Sequence, residues 1–166
     1  MTKNKETFLQ LMQENRGIIV KICNSYCTKK EDRDDLAQEI VFNLWKAFEN
    51  YTHDYQFSTW MYRVSLNVAI SFYRKELRSI KFSPYSEDLV IFDDQHENKS
   101  EKEAGLSLLE KFIQELKEID KSIMLLYLDK KSYKEIAEIV GISETNVATK
   151  INRIKADLKS KLQSNK

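Results

Sequence analysis

The chain has 166 residues, with 27 Lys and Arg against 26 Asp and Glu, so its formal net charge is +1. Apolar residues make up 42% and charged residues 32%, which is typical of a chain that forms a core and excludes the disordered class. There is no apolar run of about 18 residues that could span a membrane, and the opening MTKNKETFLQ lacks the apolar core of a signal peptide, so we expect a cytoplasmic protein. With only three Gly and one Pro for turns, the expected fold is all-α.

The apolar spacing at the start of the chain predicts one or two helices, with Gly17 as the break between them. Cys23 and Cys27 follow, one helical turn apart on an apolar stretch, and we interpret them as reduced core residues. A zinc site would need both cysteines together with His53 and His96, whose spacing matches no zinc-binding pattern. We therefore expect no metal and no other cofactor.

The next predicted helix is two-sided and acidic. Thr28 and Glu31 have the spacing of a capping box, which predicts a helix start near Thr28. Residues 31–49 contain six acids and two bases. The apolar side of this helix carries Leu36, Ile40, Val41, Leu44, Trp45 and Phe48. The opposite side carries Asp34, Asp35, Gln38 and Glu39.

A third helix, predicted over residues 57–77, combines aromatic and basic side chains. Residues 54–81 contain five bases and two acids. Basic groups can follow a phosphate backbone and aromatic faces can stack on the bases of an opened strand, although some of these aromatics are needed for the core. The aromatic residues are Phe57, Trp60, Tyr62, Phe72 and Tyr73, and the nearby bases are Arg63, Arg74, Lys75 and Arg78.

An acidic segment separates this helix from the rest of the chain. Residues 83–102 lack a helical period and contain Pro84, the only proline, and residues 85–103 hold seven acids and two bases. Helical periodicity resumes over residues 104–129 and continues to the end. We therefore predict two small helical domains, residues 1–80 and 104–166, joined by an acidic flexible linker, residues 81–103.

The C-terminal domain contains a predicted helix-turn-helix. Ser132 and Glu135 form a second capping-box pattern that opens a short helix, and Gly141 can take the left-handed backbone that ends it. Ser143 is placed to cap the next helix. The apolar stripe of that helix is Val147, Ile151, Ile154 and Leu158. A short helix, a glycine turn and a capped second helix are typical of DNA-binding proteins.

With the stripe facing inward, the second helix points polar side chains outward. Residues near its start would enter the major groove, where Asn146 can pair with adenine. Basic residues further along would hold phosphates. The candidate DNA-contacting residues are Ser143, Thr145, Asn146, Thr149, Lys150 and Arg153.

Three of these motifs, in this order and spacing, resemble the extracytoplasmic-function (group IV) sigma factors of bacterial RNA polymerase. The stretch DDLAQEIVFNLW, residues 34–45, is similar to that family's polymerase-docking helix. FSTWMYR, residues 57–63, together with Asn67, is similar to its promoter-melting region, and residues 132–158 are similar to the helix-turn-helix that reads the minus-thirty-five element. The family commonly has a different residue where this chain has Leu66, and a Lys where it has Ala148.

The resemblance implies a role for each of these residues. Asp35, Gln38 and Glu39, with Phe42 and Trp45 beside them, would dock on the clamp coiled coil of the largest polymerase subunit. Asn67 would line a pocket that captures a flipped base of the minus-ten element, with Tyr51 in the loop over it. The implied minus-ten contacts are Tyr51, Trp60, Arg63, Asn67, Arg74, Lys75 and Arg78.

The resemblance also implies partners and a place of action. The partners would be bacterial core RNA polymerase, promoter DNA and an anti-sigma factor, with no small-molecule substrate. The protein would act in the cytoplasm, associate with the nucleoid when on polymerase, and be sequestered at the inner membrane face by an anti-sigma factor. The acidic linker would run through the polymerase channel, where its charge would mimic nucleic acid.

Two other classes of function fit the sequence less well. A self-standing transcriptional regulator would bind DNA as a dimer without polymerase, but it would have no need of an acidic helix next to a basic aromatic one. An enzyme is disfavoured because the sequence contains no glycine-rich phosphate loop, no nucleophile elbow and no His at a recognisable spacing from a Cys or Ser.

Overall fold

The computed structural model describes residues 4–81 and 101–164, without the side chains of residues 79–81, 101–104 and 106. Within these residues all regular structure is α-helical, which confirms the predicted fold class. The helices are α1 (Lys5–Glu14), α2 (Arg16–Tyr26), α3 (Lys30–Phe48), α4 (Phe57–Lys81), α5 (Glu101–Glu115), α6 (Glu118–Leu128), α7 (Tyr133–Val140) and α8 (Glu144–Ser164). None of the helices described here has the length and hydropathy needed to cross a bilayer.

Two predicted features near the N-terminus are wrong in detail. The first two helices break at Asn15, whose side-chain amide donates to the carbonyl oxygen of Leu11, while Gly17 lies inside α2. Helix α3 is capped by Lys29 with no side-chain hydrogen bond, so the capping box at Thr28 does not form. With Lys29 as the N-cap, Glu31 is the second residue of the helix. A capping box needs the glutamate at the third residue, where its side chain can accept from the backbone N–H of the N-cap.

In the N-terminal half, helices α1, α2 and α4 pack around the apolar side of α3. Its buried residues recur at intervals of four and face α2 and α4: Leu36, Ile40, Leu44 and Phe48. Val41 and Trp45, predicted on the same side, are instead 40% and 44% exposed. The apolar stripe is therefore narrower than the sequence suggested, and its outer edge remains accessible to solvent.

In the C-terminal half, the helical periodicity predicted over residues 104–129 corresponds to two helices. Helix α5 ends at Glu115 and α6 begins at Glu118, after an extended Lys117. Helices α6, α7 and α8 then pack on one another. The predicted stripe of α8 faces inward, since Val147, Ile151 and Ile154 are buried and Leu158 is half-buried against the same side of the domain.

The two halves are in contact and share a core. Helix α2 packs against α5 and α6, and α4 packs against α6 and α7. One cluster of buried side chains runs without interruption from the N-terminal helices to Ile123, Leu126 and Ile136 of the C-terminal helices. The predicted acidic linker, residues 81–103, lies mostly outside the described residues.

Candidate functional site

The helix-turn-helix forms through the three local signals that predicted it. The Glu135 backbone N–H donates to Oγ of Ser132 at 3.1 Å, and the Ser132 N–H donates to Oε2 of Glu135 at 2.8 Å, which completes the capping box. Gly141 has φ 83° and ψ 35°, the left-handed conformation that ends α7. The Asn146 N–H then donates to Oγ of Ser143 at 3.1 Å and caps α8. These contacts fix the angle between α7 and α8.

Helix α8 presents most of its predicted DNA-contacting residues to solvent. Ser143, Thr145, Asn146 and Thr149 are exposed at or near its N-terminal end, and the Thr149 hydroxyl donates to the Thr145 carbonyl at 3.0 Å. Polar side chains there are well placed to reach base edges in a major groove. The structure thus brings these four residues together on one accessible surface.

Two of the basic residues of α8, Lys150 and Arg153, are held by a carboxylate that the sequence did not predict. Asp120 of α6 accepts from Nζ of Lys150 at 3.4 Å and from an Nη atom of Arg153 at 2.9 Å. The Asp120 side chain is 14% exposed, whereas Arg153 is 55% exposed. The sequence carries no signal for this contact, because Asp120 and Lys150 lie 30 positions apart in the chain and on different helices.

Helix α4 carries an exposed row of polar and basic side chains. Asn67 is exposed, as are Arg74, Lys75 and Arg78 further along the helix. Arg63 is also exposed, yet its guanidinium donates to the Glu138 carbonyl of α7 at 2.7 Å. Nε of Arg74 donates to Oε1 of Glu118 at 2.8 Å. The cations expected to contact the minus-ten element are therefore grouped on one helix, but two of them contact the C-terminal helices.

The aromatic residues beside α4 form a packed cluster rather than an open stacking platform. Tyr51 is 6% exposed, with its ring centroid 5.0 Å from that of Trp60 and 5.6 Å from that of Phe57. Its hydroxyl donates to the Tyr55 carbonyl at 3.0 Å. Burial raises the pKa of Tyr51 above its ordinary value. Trp60 is half-buried, so it presents more of its ring to solvent than Tyr51 does.

Helix α3 exposes a mixed acidic and apolar face. Asp35, Gln38 and Glu39 are exposed, while Phe42 is 60% and Trp45 is 44% exposed. The Trp45 ring packs edge-on against Phe8 of α1, with centroids 5.0 Å apart.

This face continues into an apolar groove between α1 and α3 that the sequence did not predict. Phe8 and Leu9 of α1 line it together with Val41, Phe42 and Trp45. The groove lies beside the exposed acids of α3, so a partner with apolar and basic side chains would complement it.

The cysteines behave as buried thiols, as predicted. Both are buried and neither is disulfide-bonded. Burial raises the pKa of Cys23 to about 11 and that of Cys27 to about 12, so both thiols stay protonated at neutral pH. Across the described residues, no group of three or more His, Cys, Asp or Glu side chains is placed to hold a metal ion.

Comparison with known proteins identifies both halves of the chain. The family model for sigma-70 region 2 matches residues 11–79, and the model for sigma-70 region 4 matches residues 106–158. The RNA polymerase sigma factor NccH of Alcaligenes xylosoxydans xylosoxydans is 28% identical over 95% of this chain and 87% of its own length. The ECF RNA polymerase sigma factor SigW of Bacillus subtilis (strain 168) is 26% identical over 96% of this chain and 91% of its own length.

Solved structures share the fold. CnrH, in complex with the cytosolic domain of CnrY, has a TM-score of 0.71 at 20% identity, over 99% of this chain and 93% of that one. RpoE of Bartonella quintana, in complex with the anti-sigma factor NepR, has a TM-score of 0.68 at 18% identity, over 98% of both chains. The two matched regions and the similar sigma factors NccH and SigW place the chain in the extracytoplasmic-function group of the sigma-70 family, whose members direct RNA polymerase to promoters and initiate transcription.

Proposed function

We propose that this sigma factor divides promoter recognition between its two helical domains, residues 1–80 and 104–166, connected by residues 81–103. The N-terminal domain docks on core polymerase and captures an unpaired base of the minus-ten element. The C-terminal domain reads the minus-thirty-five element as duplex DNA. The observation that carries this proposal is the pair of accessible polar surfaces, one around Asn67 on α4 and one around Asn146 on α8.

Docking on polymerase is assigned to the exposed face of α3. Asp35, Gln38 and Glu39 supply charge and hydrogen bonds to the clamp coiled coil of the largest subunit. Phe42 and Trp45 supply apolar area, and large aromatic side chains contribute most of the binding energy in protein interfaces. Their exposure supports this role, because a fully buried Trp45 would offer a partner nothing.

Strand opening is assigned to α4. The Asn67 amide can form hydrogen bonds with the edge of a flipped base. The half-buried Trp60, with Tyr51 behind it, provides an aromatic surface on which the base can stack, which offsets part of the few kcal/mol lost when the base leaves the duplex. Arg63, Arg74, Lys75 and Arg78 would follow the phosphates of the opened strand.

Reading of the minus-thirty-five element is assigned to the start of α8. Thr145, Asn146 and Thr149 would contact base edges, whereas Ser143, Lys150 and Arg153 would position the helix on phosphates. Asp120 forms ion pairs with Lys150 and Arg153. Each of these two side chains must therefore leave the Asp120 carboxylate before it can bind a phosphate.

Two partners and a place of action complete the proposal. CnrH and RpoE were each solved with a bound protein, and for RpoE that protein is an anti-sigma factor, so an anti-sigma factor is proposed for this chain too. The chain would act in the cytoplasm and nucleoid and be held at the inner membrane face when inactive. It would catalyse no reaction itself, since RNA synthesis belongs to the polymerase.

The test is transcription by purified core polymerase on genomic DNA of the same organism, with and without this protein. New transcripts that require the protein are expected and would locate its promoters. If no transcript appears and the protein alone binds specific DNA, the chain acts as a self-standing regulator instead.

Variants in the same assay test the assigned surfaces. Asp35→Ala with Gln38→Ala should weaken core binding without unfolding the chain, whereas Glu49→Ala, an exposed acid at the end of α3, should not. Asn67→Ala should spare recruitment to the promoter but reduce opening, whereas Ser71→Ala, exposed one turn along α4, should do neither. Equal loss of recruitment and opening in Asn67→Ala would contradict the placement of the base pocket.

A further inference from the structure

The exposed N-terminal end of α8 leads into two cations. Thr145, Thr149 and Arg153 follow one another at intervals of four residues, so they form one row along the helix. Asn146 and Lys150 form the neighbouring row at the same interval. Each row therefore begins with an exposed residue that is proposed to read base edges and ends with a cation. A duplex at this end of α8 would bring phosphates close to Lys150 and Arg153.

A carboxylate of the same domain already binds these two cations. Oδ1 of Asp120 accepts from Nζ of Lys150 at 3.4 Å, and Oδ2 accepts from an Nη atom of Arg153 at 2.9 Å. One carboxylate therefore bridges both cations, with one oxygen for each. A DNA phosphate would make the same kind of charge-assisted hydrogen bond with these side chains, so phosphate and Asp120 compete for the same N–H donors.

The contact lies where a phosphate could reach it. The Asp120 side chain is 14% exposed, whereas that of Lys150 is 31% and that of Arg153 is 55% exposed. The cations are therefore the more accessible partners, and a phosphate arriving from solvent would meet them before it met the carboxylate. An open recess of about 560 Å³ at the same place, lined by the first turn of α6 together with both cations, leaves room for the two side chains to change partner.

Asp120 is held at this position by more than the two cations. It lies in the first turn of α6, where a negative side chain is favoured by the helix dipole. Helix α6 in turn packs directly on α8, so the carboxylate stays at a fixed distance from the two rows of side chains. The fold therefore keeps an anion beside the proposed phosphate contacts of α8 whether or not DNA is present.

The charge of this cluster determines how strongly it attracts a duplex. Asp120, Lys150 and Arg153 together carry a net charge of +1, and without the carboxylate the two cations carry +2. When cations bind phosphates, DNA releases the counterions that were condensed on it. A displaced Asp120 would take up a cation from solution, so the net release is smaller by about one ion. Asp120 therefore lowers the affinity for DNA of any sequence and makes that affinity less dependent on salt.

We propose that Asp120 is an internal competitor of the DNA backbone, which binds Lys150 and Arg153 in the free chain and keeps the sequence-independent affinity of α8 for duplex DNA low. The proposal rests on the proposed function only in assigning α8 to DNA. Because phosphate contacts are weakened, base contacts at the start of α8 have to supply more of the binding energy. A chromosome offers about 10⁶–10⁹ competing non-specific sites, so a weaker sequence-independent contribution leaves more of the protein free to reach its promoters.

The test uses the full chain with Asp120→Asn, which removes the charge and keeps the shape of the side chain. The matched control is Glu115→Gln, which makes the same charge change beside the same helix. Glu115 pairs with Lys161 at 2.9 Å, and Lys161 lies in the last turn of α8, away from the end proposed to read bases. Asp120→Glu is the conservative variant, since it retains a carboxylate beside the two cations.

The first measurement is the affinity of each protein for a short duplex of unrelated sequence, by fluorescence anisotropy between about 50 and 200 mM salt. Asp120→Asn should bind several-fold more tightly than wild type at the lowest salt, and its plot of log affinity against log salt should be steeper by about 0.9. Glu115→Gln and Asp120→Glu should stay close to wild type. Unchanged affinity and slope in Asp120→Asn would overturn the proposal. Weaker binding would overturn it too, because the carboxylate would then be positioning the cations for DNA.

The second measurement repeats Asp120→Asn in a chain that also carries Lys150→Ala and Arg153→Ala. Most of the gain in affinity should disappear, because interacting residues are not additive in such a double-mutant cycle. The same gain in that background would show that Asp120 acts only through the overall charge of the protein, which overturns the proposal. If neither wild type nor Asp120→Asn binds any duplex, removing the carboxylate has exposed no phosphate-binding surface and the proposal is overturned, while transcription with core polymerase decides the proposed function separately.

Discussion

A buried hydroxyl group that makes no hydrogen bond lowers the stability of the folded chain. Ser65 of α4 is fully buried, and within the described part of the chain its Oγ has no hydrogen-bond partner. Such a group loses its hydration on folding and gains nothing in return. We therefore expect Ser65→Ala to raise the free energy of unfolding by about 1 kcal/mol, since alanine is also the better helix former. Urea denaturation of wild type and variant measures this change.

Ser122 provides the control for this prediction. It is equally buried, at 1% exposure, but its hydroxyl donates to the Ile119 carbonyl at 2.6 Å. Ser122→Ala should lower the free energy of unfolding by about 1 kcal/mol, because a made hydrogen bond is lost. A loss of stability in Ser65→Ala would mean that its hydroxyl has a partner, such as a buried water.

For single residues, the sequence predicted burial correctly where burial follows from the neighbouring residues in the chain. Cys23 and Cys27 were predicted as buried thiols because their stretch is apolar, and both are buried. The sequence did not predict the exposure of a side chain where that exposure depends on contacts with another part of the fold. Trp45 is partly exposed because α1 covers only one edge of it, and Tyr51 is buried because Phe57 and Trp60 fold over it.

The helix-turn-helix depends on one backbone conformation in the turn between α7 and α8. Gly141 has φ 83°, and a Cβ built there would meet no atom within 4 Å, so the only penalty for a side chain is conformational. We expect Gly141→Ala to lower the free energy of unfolding by about 1 to 2 kcal/mol and to weaken minus-thirty-five DNA binding, because the angle of α8 would change.

Gly17→Ala is a control for which the free energy of unfolding should change in the opposite direction. Gly17 lies within α2 without a positive φ, and a Cβ there would also meet no atom within 4 Å. Gly17→Ala should therefore raise the free energy of unfolding by about 0.5 to 1 kcal/mol. Equal effects of the two substitutions in urea denaturation would contradict the importance of the left-handed turn.

Helix ends show why some elements were predicted more accurately than others. The capping box at Ser132 formed because its glycine terminator and apolar stripe fix the register independently. At Thr28 the capping pattern stood alone, and α3 begins two residues later, at Lys30, without a side-chain cap. A single local signal therefore located this helix start only to within two residues.

For the whole molecule, the ion pair between Arg74 of α4 and Glu118 of α6 should make stability depend on pH. The pKa of Glu118 is lowered by the Arg74 hydrogen bond, with Lys121 adding a smaller effect of the same sign. A carboxyl whose pKa is lower in the folded chain than in the unfolded one stabilises the fold above its ordinary pKa of 4.5, and this contribution is lost as pH falls through the lowered value. We therefore expect the part of the free energy of unfolding that Glu118 contributes to disappear in acid.

The difference between wild type and Glu118→Gln isolates this effect from other carboxylates. Their free energies of unfolding, measured by urea denaturation from about pH 7 downward, should differ near neutrality and converge once Glu118 is protonated, below its lowered pKa. Curves that stay parallel throughout would show that the charge on Glu118 does not stabilise the fold.

The amino-acid sequence by itself determined the helical class and the helix-turn-helix with its caps, which follow from periodicity and from contacts only three or four residues apart. The residues of the candidate polymerase and minus-ten surfaces are implied by the resemblance of two motifs to a known family, and their roles stay predictions. The tertiary structure alone revealed that Asp120 holds Lys150 and Arg153, that an apolar groove joins α1 to α3, and that Glu118 and Asp129 join the C-terminal helices to α4. Contacts between Tyr62 and Asp129, 67 positions apart, depend on how whole helices pack, and no local pattern encodes that distance.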